Sequence, residues 1–133
     1  MAVGQKVFDP DEIRKTINVI KPEGELFEIR CLEANGRKVY SGYFKSPESL
    51  IEQLCRLNST DSNIYITLGK VKEDCYSREQ REKFVMNAKN TTNDNDIVGY
   101  KWLFIDVDPQ RPAGVSSSDE QLRTAKERGN QIY

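Results

Sequence analysis

The stretch GELFEIRCLEANGRKVYSGYF, Gly24–Phe44, decides the fold class. Leu26, Glu28, Arg30 and Leu32 alternate with Phe27, Ile29 and Cys31. That period of two sends successive side chains to opposite faces of a strand. Asn35-Gly36 then supplies the residue types that tight hairpin turns require, and Val39–Phe44 resumes a β-type run. The segment reads as a β-hairpin.

Upstream, DPDEIRKTINVI opens with Asp9 as N-cap, Pro10 at the first helical position and Glu12 three residues after the cap. Ile13, Ile17 and Ile20 follow at helical spacing, which predicts a helix over about 10 to 20. Downstream, Ser46-Pro47 repeats the cap-then-proline device, and Leu50, Ile51, Leu54 and Leu57 form one apolar stripe of a second helix. NIYITLGKV, Asn63–Val71, is rich in β-branched and aromatic residues and reads as a strand. SREQREKFVMNAK, Ser77–Lys89, reads as a polar helix or helical turn, and NTTNDNDIVG, Asn90–Gly99, as a long loop dense in turn formers. The run KWLFIDVD then predicts a buried strand with an acidic end. A turn-rich PQRPAGVSS leads to a last helix, for which Ser118 and Gln121 form a capping box. The order α, β-hairpin, α, β, α, β, α argues an α/β (α+β) fold with helices packed on a mixed sheet. No internal repeat or linker divides it, so residues 1–133 are expected to form a single domain.

The chain has 133 residues, 37% hydrophobic and 31% charged, the composition of a polar globular protein. Its apolar runs are too short to span a membrane, and the first residues lack the basic-then-apolar pattern of a signal peptide. A cytoplasmic location and no membrane partner are the expectation. Cys31, Cys55 and Cys75 are widely spaced, form no C-x-x-C pair, and have no histidine to complete a zinc site. They read as free thiols. A net charge of −1 supplies no field to gather nucleic acid, so polyanion binding must come from local basic residues or a bound cation.

The acidic strand end carries the chemistry. On a strand, Trp102, Phe104, Asp106 and Asp108 line one side, and Leu103, Ile105 and Val107 the other. The two carboxylates then point the same way with Cα atoms about 7 Å apart, where two unit charges repel by about 2–3 kcal/mol at an effective dielectric near 20. A bridging hard cation, Mg²⁺ or Mn²⁺, would offset that and also bind substrate phosphates. The alternative is structural: one aspartate caps the turn and the other pairs with Arg111.

With the quoted segments in view, from IKPEGELFEIRCL through YSGYF and NIYITL to NAKNTTNDNDIVGYKWLFIDVDPQRPAGVSSSDEQL, the chain resembles the archaeo-eukaryotic primase superfamily, in particular the primase-polymerases of phages and other mobile elements. The resemblance covers nearly the whole chain and is most specific in the last segment. It implies that Asp106 and Asp108 are the first catalytic motif and hold Mg²⁺ or Mn²⁺ for nucleotidyl transfer. It implies as partners a single-stranded DNA template, nucleoside triphosphates and a replicative helicase. The family's second motif, a small residue, any residue, then histidine, is absent because the chain has no histidine. The chain therefore resembles the amino-terminal part of the catalytic domain, an α/β unit with the opening of an RRM-like unit, and is not expected to be active alone.

Other residues fit that reading less specifically. Arg111 and the helix start at Ser116, Ser117 and Ser118 could receive phosphate oxygens, although a turn residue and a plain N-cap explain them equally. Arg78 and Arg81, three apart on one helical face, with Lys89 beyond, could follow a template backbone or simply face water. Tyr40, Tyr43 and Tyr65 could stack bases or fill the core. Thr91, Thr92, Asp94 and Asp96 precede the acidic strand and read as turn chemistry near the site. A metal-dependent nuclease uses similar strand-borne aspartates, and a non-catalytic binding module remains a reading of a different class.

Overall fold

The computed structural model describes residues 8–57 and 62–132. It is an α+β fold of three helices, a four-stranded sheet and a two-stranded sheet. The chain clusters into two compact units, Met1–Trp102 and Leu103–Tyr133. No described helix is long and apolar enough to cross a membrane.

In the first unit, helix α1 spans Pro10–Ile20. Asp9 accepts hydrogen bonds from the backbone N–H of Asp11 and Glu12, satisfying two donors that the first helical turn leaves unpaired. Strands β1, Phe27–Glu33, and β2, Val39–Phe44, form the expected antiparallel hairpin, with Phe27 opposite Phe44 and Glu28 opposite Tyr43. Gly36 closes its turn at φ +69°, a left-handed conformation that costs glycine nothing. Helix α2, Pro47–Leu57, follows with the predicted stripe, of which Leu50, Ile51 and Leu54 are buried.

The period of two along β1 sorts its residues between two faces. Phe27, Ile29 and Cys31 join Phe44 beneath Ile17 of α1 and Leu50 and Leu54 of α2, forming the larger apolar core. Each fully buried side chain of this size contributes about 1.5–3 kcal/mol through removal from water. Gly42 is needed here because a Cβ would lie 2.6 Å from the Phe44 ring. Cys31 and Cys75 are buried and Cys55 exposed, all free. Burial pushes the Cys31 thiol up to about 12.

Three elements differ from the sequence expectation. The run Asn63–Val71 does not make one strand: β3, Ser62–Ile66, pairs with β1, whereas β4, Lys70–Val71, belongs to the second sheet. The break lies where the buried Lys21 ammonium donates to the carbonyls of Leu68 and Gly69, at 3.4 and 3.0 Å. Burial lowers the pKa of that lysine.

Nor is Ser77–Lys89 a helix. A short 3₁₀ turn, Glu73–Ser77, ends before Arg78, and the chain then lies along the free edge of β2. Tyr43 N–H donates to Gln80 O at 3.0 Å and Glu82 N–H to Tyr43 O at 2.8 Å, and β5, Val85–Met86, pairs with Tyr40 and Ser41. Backbone pairing with the sheet edge replaces the internal bonds of a helix that had no strong apolar stripe. The strand order is β3-β1-β2-β5, and all named strand pairs are antiparallel, with one isolated parallel bridge between Tyr43 and Arg81. The Asn90–Gly99 loop holds a second 3₁₀ turn, Asp94–Asp96, and β6, Ile97–Gly99, which pairs with β4.

The third difference concerns KWLFIDVD. Residues 101–108 form no strand, and no described segment pairs with them. A strand is held by neighbour hydrogen bonds and by burial of its faces, and this run has neither: Leu103 is 85% and Phe104 73% exposed. In the second unit, helix α3, Asp119–Ile132, begins with the predicted box: Ser118 N–H donates to Gln121 Oε1 at 2.8 Å, and Gln121 N–H to Ser118 Oγ at 3.2 Å.

Candidate functional site

Asp106 and Asp108 lie on the irregular segment that precedes α3, both exposed. Because the segment is not a strand, the alternation expected to aim both carboxylates the same way does not operate. Asp108 lines a cleft of about 610 Å³ with Gln110, Ser118, Gln121 and Arg128, and Asp106 is not part of that lining. Neither carboxylate has a hydrogen bond or ion pair to another described residue.

Arg111, expected either to receive phosphate or to pair with an aspartate, donates from Nη1 to Val115 O at 2.6 Å and clasps its own turn. Ser118 has both its N–H and its hydroxyl engaged with Gln121, so it is a plain N-cap. Ser116 and Ser117 sit just ahead of it, outside the helix.

Arg78 and Arg81 do not share a helical face. The Arg78 guanidinium donates through Nη2 to both oxygens of Asp96, at 3.0 Å each, and through Nη1 to Tyr43 OH at 2.7 Å. That is a fork matched to a carboxylate within the fold, which removes Arg78 from the template-binding stripe. Burial alone would lower its pKa, but Asp96 and Tyr43 outweigh that and raise it. Asp96 is correspondingly held below its ordinary range: burial pushes it up, and the Asn93 N–H and Arg78 more than reverse this. The Arg81 guanidinium stacks over the Tyr76 ring at 4.5 Å, and Lys89 is exposed.

The tyrosines separate in the same way. Tyr43 is buried with its hydroxyl 2.9 Å from Thr92 Oγ1, and burial raises its pKa. Tyr40 is packed against the apolar core, and Tyr65 remains exposed on β3.

Sequence reasoning missed a densely hydrogen-bonded polar cluster among the described residues. On the face of β1 and β2 opposite the apolar core, the side chain of Glu28 is wholly buried. It receives Arg30 Nε and Nη2 at 3.1 Å each, Ser41 Oγ at 2.7 Å and Thr92 N–H at 3.3 Å. Arg30 Nη2 also reaches Thr92 O at 2.6 Å. Through Thr92 and Tyr43 this cluster joins Arg78 and Asp96, fastening the Asn90–Asp96 loop to the sheet. Beside it Glu28, Arg30, Thr67, Thr92 and Tyr100 line a cleft of about 360 Å³. The signal was the i, i+2 pair Glu28 and Arg30 opposite Tyr43 and Ser41, which alternation alone does not distinguish from a solvated face. The groups satisfy one another and form a structural lock.

Among the described residues no three metal-ligating side chains converge. Asp106 and Asp108, separated by Val107, are exposed carboxylates of the hard-oxygen type that Mg²⁺ and Mn²⁺ prefer, and the cleft that Asp108 lines does not include Asp106. No protein-family model, curated protein or solved structure matches the chain.

Proposed function

We propose that this chain carries the first catalytic segment of a DNA primase-polymerase that makes primers on single-stranded DNA, by metal-dependent nucleotidyl transfer, in phage or mobile-element replication. The observation that carries this reading is the state of Asp106 and Asp108: two exposed carboxylates, one residue apart, with no partner among the described residues. Glu28 and Asp96, by contrast, are taken up by the fold, Glu28 by Arg30 and Asp96 by Arg78.

Asp106 and Asp108 would act as ligands of Mg²⁺ or Mn²⁺ rather than as bases, their charge drawing the cation with its bound nucleoside triphosphate. The ion, when bound, supplies activation of a ribose 3′-hydroxyl and charge stabilisation on the leaving pyrophosphate. Arg111 holds the turn that follows, and the Ser118 box fixes the start of α3 beside Asp108. With no histidine, the chain lacks the family's second motif. Its own measurable activity is therefore metal and nucleotide binding.

The test is a calorimetric Mn²⁺ titration with and without a nucleoside triphosphate, on the native chain and on Asp106→Asn with Asp108→Asn. Native protein should bind Mn²⁺, more tightly when nucleotide is present, and the double variant should lose that binding. Equal Mn²⁺ binding by both proteins, or none by either, overturns the metal reading.

A further inference from the structure

We propose that the cleft beside Arg30 is a binding site for a nucleobase, with Tyr65 and Tyr100 as its stacking surfaces. The cleft, about 360 Å³, is built wholly from the first unit. That volume is at the small end of the range for small-molecule sites, about 300–1,000 Å³. Two of its lining residues are exposed aromatics, Tyr65 at 55% and Tyr100 at 78%. Tyr65 stands opposite Arg30 in the β1–β3 register, so both side chains rise from the same face of the sheet. Tyr100 lies against the backbone at Gly69, where a Cβ would come within 3.2 Å of its ring. Strand pairing fixes the first tyrosine and Gly69 seats the second, yet both stay open to solvent.

The polar groups of the cleft select its occupant. Arg30 commits Nε and Nη2 to Glu28 and Thr92, while its Nη1 donates to no described residue. Exposed Asp94 adds a carboxylate acceptor to the same lining. A ligand that uses all of these is flat, to stack on tyrosine, and carries both a carbonyl acceptor and an N–H donor on its edge. A nucleobase has that combination. An indole has no acceptor for Arg30, and a phenol offers one oxygen for two sites. Phosphate is disfavoured inside the cleft, because two carboxylates, Glu28 and Asp94, line it against one guanidinium. The sugar-phosphate stays outside, and a free nucleoside and an unpaired strand present the same ring.

The cleft uses neither Asp106 nor Asp108, so this inference and the metal reading fail separately. Fluorescence anisotropy in EDTA with a short labelled oligothymidylate should show saturable binding by the native chain that changes little with salt, because the phosphates stay outside. An abasic strand of the same length should not bind. Tyr65→Ala and Tyr100→Ala should each weaken binding about five-fold or more, as loss of a stacking ring does. Tyr100→Phe keeps the ring and should bind as the native chain does. Both side chains are exposed, so every variant should keep the native urea midpoint, measured alongside. Calorimetric titration with free thymidine separates the sources: binding of thymidine makes a nucleoside sufficient, and binding of the oligomer alone makes an unpaired strand the ligand. A native chain that binds neither, an abasic strand that binds as well as the oligothymidylate, or folded alanine variants that bind as the native chain does would each overturn the proposal.

Discussion

Phe27–Glu33 and Lys101–Val107 are both short runs rich in large apolar residues with a carboxylate set among them, Glu28 in the first and Asp106 in the second. The first is the central β1, paired on both sides, with its carboxylate buried. The second forms no strand pairing among the described residues, is tied to helix α1 only where Trp102 Nε1 donates to Ile20 O at 2.7 Å, and leaves its carboxylate exposed. Alternation therefore specifies which face a residue would take in a strand. It does not supply the neighbour that makes the strand. β1 finds its neighbours within a few dozen residues, β2 through the Asn35-Gly36 turn and β3 after α2.

The largest expected contrast between the two runs is apolar. Phe27 is 1% exposed and its ring packs at 6.1 Å from that of Phe44. Truncating it leaves a cavity that α1, α2 and the sheet can only partly close, so Phe27→Ala should cost about 3–5 kcal/mol of unfolding free energy in urea. A loss below about 1 kcal/mol would mean that the apolar face of β1 is not the core.

The intermediate contrast is between carboxylates. Glu28→Ala removes the acceptor of Arg30, Ser41 and the Thr92 N–H together. Breaking a buried pair costs about 3–5 kcal/mol, and the partial exposure of Arg30 lowers the expectation here to about 2–3 kcal/mol. Native-state hydrogen exchange should also show faster exchange at Thr92 and its neighbours, because their anchor to the sheet is gone. Unchanged protection across Asn90–Asp96 would contradict the role of Glu28 as that anchor.

These two sites show what the sequence made legible. Both helix starts, the hairpin with its Asn-Gly turn, the α2 stripe and the Ser118 capping box could be read because each is decided by residues within one turn or one hairpin. The split of Asn63–Val71 and the extended course of Ser77–Lys89 could not, because distant groups decide them. Lys21 takes the carbonyls of Leu68 and Gly69, and the free edge of β2 takes the backbone of Gln80 and Glu82. The same holds for site residues. Asp106 and Asp108 stand out because they end an apolar run, and they remain open. Arg78 looked like a surface cation because its partners, Asp96 and Tyr43, lie 18 and 35 residues away.

The smallest expected effect is the most informative about the second run. Leu103 is 85% exposed and meets no apolar core in the monomer, so Leu103→Ala should change monomer stability by less than about 0.5 kcal/mol. A leucine in β1's position would lose several times that on the same truncation. The comparison must be made at concentrations where the chain is monomeric, since any pairing of the run would bury Leu103 and link stability to protein concentration. Equal stability of the two proteins when dilute, with a gap opening as concentration rises, would locate the contribution of Leu103 in association. A loss of about 2 kcal/mol already present in dilute solution would instead place Leu103 in a core of the monomer, and the contrast between the two runs would collapse.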